Sequence, residues 1–147
     1  MRLCSFLILF SLCQTAFSRI GETIDECKIR YGQSVGTLKD QTQFRKNGID
    51  IFISFYQGKA SCIRYSGNIT YAMVEELLKA NGGEKKWLAS LDDKSVKIWK
   101  TDDKELEATY AYATREDVDH LIILSRPLVR AEHEAQKEGE KKKVSGF

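Results

Sequence analysis

Beyond the first eighteen residues, which carry two of the four cysteines, two thiols, two imidazoles and four aspartates in adjacent pairs are the groups whose types and spacing could do chemistry. Cys27 and Cys62 could form a disulfide or hold a soft metal, and His120 and His133 could ligate or move protons. Asp92-Asp93 and Asp102-Asp103 could supply a general acid and base. Each pattern stops short. Two cysteines are too few for a four-ligand zinc site, and no pair of histidines stands nearby to complete one. Neither histidine has a Cys or Ser at a spacing that marks an activated nucleophile. Paired aspartates in turns are ordinarily solvated. Asn81-Gly82-Gly83 follows a helical pattern instead of opening one, so it is no phosphate loop. The expectation is a protein with no catalytic residue, no cofactor and no metal.

The chain begins with Arg2, an apolar run over Leu3–Cys13, and Ala16-Phe17-Ser18, the layout of a secretory signal peptide cleaved after Ser18. The run is too short for a membrane-spanning helix. Leu12 stands before Cys13 where a lipidation signal needs a small residue. Removal of residues 1–18 takes away Cys4, Cys13 and Arg2, so the formal charge falls from +2 to +1. A near-neutral chain argues against nucleic acid as a partner. Export to a secreted or periplasmic location puts Cys27 and Cys62 where a bridge can form. Asn68-Ile69-Thr70 reads either as a glycosylation sequon in a eukaryotic secretory route or as a helix start capped by Asn68.

The elements that must position these groups are legible around Phe44–Tyr65. Asn47-Gly48 and Gln57-Gly58 each separate apolar runs by two residues suited to positive φ, so three antiparallel strands are predicted. Counting outward from the turns sets Ile51 opposite Phe44 and Arg64, Ile53 opposite Thr42 and Cys62, and Phe55 opposite Ala60. That count puts Cys62 on the face with Ile49, Ile51, Ile53 and Phe55. It leaves Phe52, Ile63 and Tyr65 on the other face, with Arg45 opposite Asp50. Before the strands, Thr23 and Glu26 form a capping box. Ile24, Cys27 and Tyr31 make an apolar stripe that Gly32 ends. Cys27 on that stripe and Cys62 beneath it are the candidate disulfide.

A second unit repeats the plan. Ile69–Ala80 is helical, Glu84–Lys94 is a charged connection, and strands follow at Val96–Lys100, Leu106–Ala113 and Val118–Ser125. Phe44 precedes Phe55 by the same interval that separates Trp99 from Tyr110, which points to a common register. The divisions are 1–18 signal, 19–66 first unit, 67–127 second unit, and 128–147 a charged tail with Leu128 and Val129 at its start, solvated or with a short helix over Val129–Glu138. The predicted fold is α+β: two tandem helix-plus-three-strand units forming one antiparallel sheet, helices on one face.

Gly21, Thr23, Cys27, Tyr31 and Gly32 in the first helix, with Trp99 and Tyr110 in the second unit, carry a resemblance. The pattern resembles the tandem modules of the beta-lactamase-inhibitory-protein-like superfamily, and is similar to small outer-membrane assembly lipoproteins built from one module. The resemblance implies an exported α+β module that binds another macromolecule across a sheet face, without catalysis. Phe52, Ile63 and Tyr65 are the candidate contact residues, since large apolar groups on an otherwise polar face mark a surface that is used in binding or covered by the tail or a second copy. The partner is another protein, or a second copy in a homodimer. An envelope scaffold or assembly factor, and a small secreted hydrolase using the four aspartates, are the alternatives.

Overall fold

The computed structural model describes residues 19–113 and 118–144, and the expected leader over residues 1–18 lies outside the described residues. Helix α1 (Ile24–Tyr31) starts at the expected capping box: Glu26 N–H donates to Thr23 Oγ1 at 3.3 Å, and Thr23 N–H to Glu26 Oε2 at 2.7 Å. Donation from Thr23 N–H and from the Thr23 hydroxyl also holds the Glu26 carboxyl below its usual range. Cys27 and Tyr31, one turn apart, form the buried side, while Ile24 stays exposed.

Strands β1 (Gly36–Leu38), β2 (Gln41–Lys46), β3 (Ile49–Tyr56) and β4 (Lys59–Gly67) follow. Both tight turns have positive φ at each central residue: 53° and 79° at Asn47 and Gly48, 49° and 75° at Gln57 and Gly58. The count from the first turn holds throughout, with Phe44 opposite Ile51, Thr42 opposite Ile53 and Arg45 opposite Asp50.

The second hairpin departs from the count. Phe55 faces Ala60 as expected, but Ser61 then bulges, so Ser54 faces Cys62, Ile53 faces Ile63 and Ile51 faces Tyr65. A one-residue shift turns every later side chain to the opposite face. Ile63 and Tyr65 therefore lie in the helix-facing core, 0% and 1% exposed, while Cys62 and Arg64 point the other way. Burial of apolar area selects this frame, because the unshifted one would place Cys62 and Arg64 in the core instead of Ile63 and Tyr65. Ser61 is itself buried, and its hydroxyl donates to Ser54 O at 3.2 Å.

The second unit comprises α2 (Tyr71–Gly82), β5 (Trp87–Asp92), β6 (Val96–Thr101), β7 (Leu106–Ala111) and β8 (Asp119–Ser125). Thr70, not Asn68, caps α2, accepting from Met73 N–H at 3.3 Å. Strand β5 occupies the stretch expected as a charged connection. Its apolar residues fail to alternate because a second bulge, at Ser90, separates Ala89 from Leu91. Each unit is thus a helix and four strands. Phe44 pairs with Ile51 and Trp99 with Ala108, across turns of different length, so the equal intervals to Phe55 and Tyr110 do not mark equivalent positions.

The strands form one antiparallel sheet in the order β1-β2-β3-β4-β8-β7-β6-β5. The last strands of the two units, β4 and β8, pair at its centre, and each unit fans outward from them. Helix α1 packs over β2 and α2 over β7 on the same face, around Phe44, Ile51, Tyr65, Leu121 and Trp99. Tyr110 Oη donates to Ile69 O at 3.0 Å and ties the approach to α2 onto β7. Burial raises the Tyr65 hydroxyl well above its ordinary pKa, and the hydroxyl hydrogen-bonds with Tyr31 and Asn81.

The tail, read from sequence as solvated or as a short helix over Val129–Glu138, is helix α3 (Arg126–Val144), longer than that stretch at both ends. Pro127 lies in its first turn, where a missing N–H costs nothing. The helix packs on β3, β4 and β8. Glu132 is close enough to bear electrostatically on Cys62, which fixes the covered side as the one away from α1 and α2. Leu128, Val129, Ala131 and Glu132 are half-buried there, whereas residues 133–142 are exposed.

Candidate interaction surface

The sheet face away from α1 and α2 is built from cross-strand lines of side chains. Phe52, Arg64, Ile122, Thr109, Ile98 and Leu91 stand in one such line, running from β3 to the edge strand β5. At the β3 end the Arg64 guanidinium carbon lies 4.3 Å from the centre of the Phe52 ring. Arg64 Nε is buried without a hydrogen-bond partner. Phe52 is on the expected face, but it is only 9% exposed. At the other end the line opens to solvent: Leu91 is 45% and its neighbour Leu88 55% exposed, with Val96 and Ile98 half-buried beside them.

No bridge joins Cys27 to Cys62. Cys27 is buried beneath α1 on the helix-facing side, and the Ser61 bulge directs Cys62 to the opposite side of the sheet. The backbone of the sheet lies between the two sulfurs. Burial pushes the Cys62 thiol up to about 11; the nearby Glu132 carboxylate acts in the same direction and Arg64 against it.

The aspartates do not converge. Asp92 and Asp93 precede β6 and Asp102 and Asp103 follow it, so one strand length of roughly 20 Å separates the pairs. Asp92 pairs with Lys97 at 3.3 Å, and Asp103 with Lys85 at 2.6 Å. Hydrogen bonds from Lys85 and from the Thr101 hydroxyl hold the Asp103 carboxyl far below its usual range. Lys85 also pairs with Glu105.

The β4–β8 pairing makes one juxtaposition that sequence spacing did not anticipate: Ser66 Oγ lies 2.9 Å from His120 Nδ1. The two residues are far apart in the chain and meet only because the last strands of the units pair. Both are half-buried, and Ser66 stands opposite Asp50, which is engaged by Arg45 at 2.7 Å. On the helix side, a cavity of about 60 Å³ lies among Tyr31, Ile49, Ile51, Tyr65, Ile69 and Met73. That is far below the roughly 300 Å³ of an ordinary ligand pocket. No group of His, Cys, Asp or Glu among the described residues is arranged to hold a metal ion. No helix among them is long and apolar enough to cross a membrane.

No family model and no curated protein matches the chain. Among solved structures it is similar to YjgB, a DUF4309 family protein from Bacillus subtilis subsp. subtilis str. 168. Identity there is 17% and the TM-score 0.40, over 71% of this chain and 78% of that one. It is also similar to SAV1118, a cysteine-rich secretory protein from Staphylococcus aureus subsp. aureus Mu50, at 10% identity and TM-score 0.46. That match covers 75% of this chain and 46% of the other, so the chain spans less than half of SAV1118.

Proposed function

We propose that this chain is an exported protein-binding module that receives another protein on the open half of its sheet, over β5, β6 and β7. The observation that carries this reading is the apolar patch of Leu88, Leu91, Val96 and Ile98 on a sheet face whose other half lies beneath α3. An antiparallel sheet with one solvated face ordinarily presents polar residues there. The patch is bordered by Lys100 and Glu107, the arrangement of an apolar contact centre with a charged rim. The resemblance to the beta-lactamase-inhibitory-protein-like superfamily fits the same use of a sheet face, and the signal-like start of the sequence fits export.

A photo-activatable side chain at Ile98 tests the proposal, with the same group at Glu75, exposed on α2, as control. Applied to the extracytoplasmic fraction, the Ile98 variant should capture a discrete heterologous protein that the Glu75 variant does not. Equal capture at both positions, or none at Ile98, would overturn the reading.

A further inference from the structure

Strand β5 closes one end of the sheet, and among the described residues its outer edge has no neighbouring strand. Such an edge presents a row of backbone donors and acceptors ready to pair with another strand. Its charges are distributed asymmetrically: Lys86 immediately precedes the strand, and Asp93 immediately follows it. Among the described residues, neither side chain is in an ion pair within the chain, whereas Lys85 and Asp92 already have partners. Lys86 and Asp93 are both exposed.

We infer that β5 pairs antiparallel with β5 of a second copy of this chain, joining two sheets into one continuous sheet across a twofold axis. An antiparallel pairing brings the start of one strand to the end of the other, so opposite charges at the two ends become complementary. One register also respects the faces. Leu88 then stands opposite the partner's Leu91, Lys86 opposite the partner's Asp93, and Trp87 opposite the partner's Asp92. Leu88 pairs with Lys100 and Leu91 with Ile98 in the sheet, and both point to the face away from α1 and α2. Trp87 and Asp92 both point to the helix side. The small residues Ala89 and Ser90, which form the bulge, fall at the axis and divide the new ladder into two symmetric halves.

The occupant that suits this edge is a second copy, because the complementary pattern belongs to β5 itself. Each apolar contact and each charge pair occurs twice, as a twofold interface requires. The pairing would also merge the two open patches at Leu88 and Leu91 into one. It does not depend on the proposed heterologous partner, whose surface extends inward over β6 and β7.

Sedimentation equilibrium of the purified protein tests the inference. The expected result is a concentration-dependent dimer that weakens as salt is raised, since the end charges are exposed. Lys86→Asp sets like charges opposite each other at both ends and should return the monomer mass, as should Asp93→Lys. The combined Lys86→Asp, Asp93→Lys chain restores complementarity and should recover the dimer. Thermal unfolding of each variant establishes that the chain is folded. A monomer at the highest concentration reached overturns the proposal. So does a dimer indifferent to both single changes, or one lost equally in the combined variant. Capture at Ile98 by a monomeric charge variant would leave the proposed function standing with the dimer gone. A charge-dependent dimer without capture would do the reverse.

Discussion

The Nε1 edge of the Trp87 indole abuts Gly82, so that a Cβ added to the glycine would stand 2.4 Å from Trp87 Nε1. The same nitrogen donates to Leu78 O at 2.7 Å, one turn earlier in α2. A glycine at the end of a helix is ordinarily improved by alanine, by up to about 1 kcal/mol. Here the ring must move and its hydrogen bond must lengthen. We expect Gly82→Ala to destabilise by about 1–3 kcal/mol, read by denaturant titration, with a change in tryptophan emission. An unchanged or raised midpoint would contradict this packing.

The two parts of α3 should behave differently. Termination after Glu132 removes the exposed stretch 133–142 with the residues beyond it, and should leave the midpoint of unfolding unchanged. Termination after Ser125 also removes the half-buried Leu128 and Val129 and uncovers the far side of β3, β4 and β8. That should cost about 1–3 kcal/mol. Equal stability of the two truncated chains would show that the helix does not dock.

Cys62 reports on the same cover. Its thiol is pushed up to about 11 from an ordinary value of 9.0, chiefly by burial. The folded state therefore keeps its proton where the unfolded chain has begun to lose it. The resulting stability is fully present below about pH 9 and is lost as pH rises through about 11. Cys62→Ser should flatten the decline of the unfolding midpoint across that window. Alkylation of the unfolded, unreduced protein should label both Cys27 and Cys62. A disulfide-linked peptide pair in the mass spectrum would refute the placement of these residues on opposite faces.

Phe52→Ser should lower stability by about 2–4 kcal/mol, because the ring is nearly buried and carries the Arg64 side chain on its face. An exposed contact residue would instead tolerate the change with an unaltered midpoint. Guanidine titration decides between them.

The sequence carries its turns and caps in the open. Asn47-Gly48 dictates the β2–β3 register, and Thr23 with Glu26 marks the start of α1, because both depend on neighbours a few residues apart. The bulges are harder to read, since a single extra residue leaves no composition signal. In β4 there was one clue. The count from Gln57-Gly58 strands Ile63 and Tyr65 on a polar face, and one bulge at Ser61 removes the conflict. In β5, Trp87, Leu88 and Leu91 break alternation for the same reason, and the strand is disguised as a charged loop. Phe52 falls on its expected face, and of the two readings of that face, a contact surface or one covered by the tail, the packing of α3 on β3, β4 and β8 favours the cover. Charge dominates the later part of that helix, while half-buried residues near its start, Leu128 and Val129 among them, dock it. The Ser66–His120 contact depends on the union of two units, which no local spacing records.

Placing β4 and β8 side by side has a consequence for biosynthesis. Synthesis runs from the N-terminus, so the first unit is complete while the strand that must sit beside β4 is still unmade. Until Asp119–Ser125 leaves the ribosome, β4 is a bare sheet edge of nine residues carrying Ile63 and Tyr65. That half-chain is then exposed to mispairing with its own kind, or to exchange of β8 between two chains once synthesis ends. A holding chaperone that delays compaction until the whole chain is present would suit this topology, as would delivery across a membrane in an unfolded state.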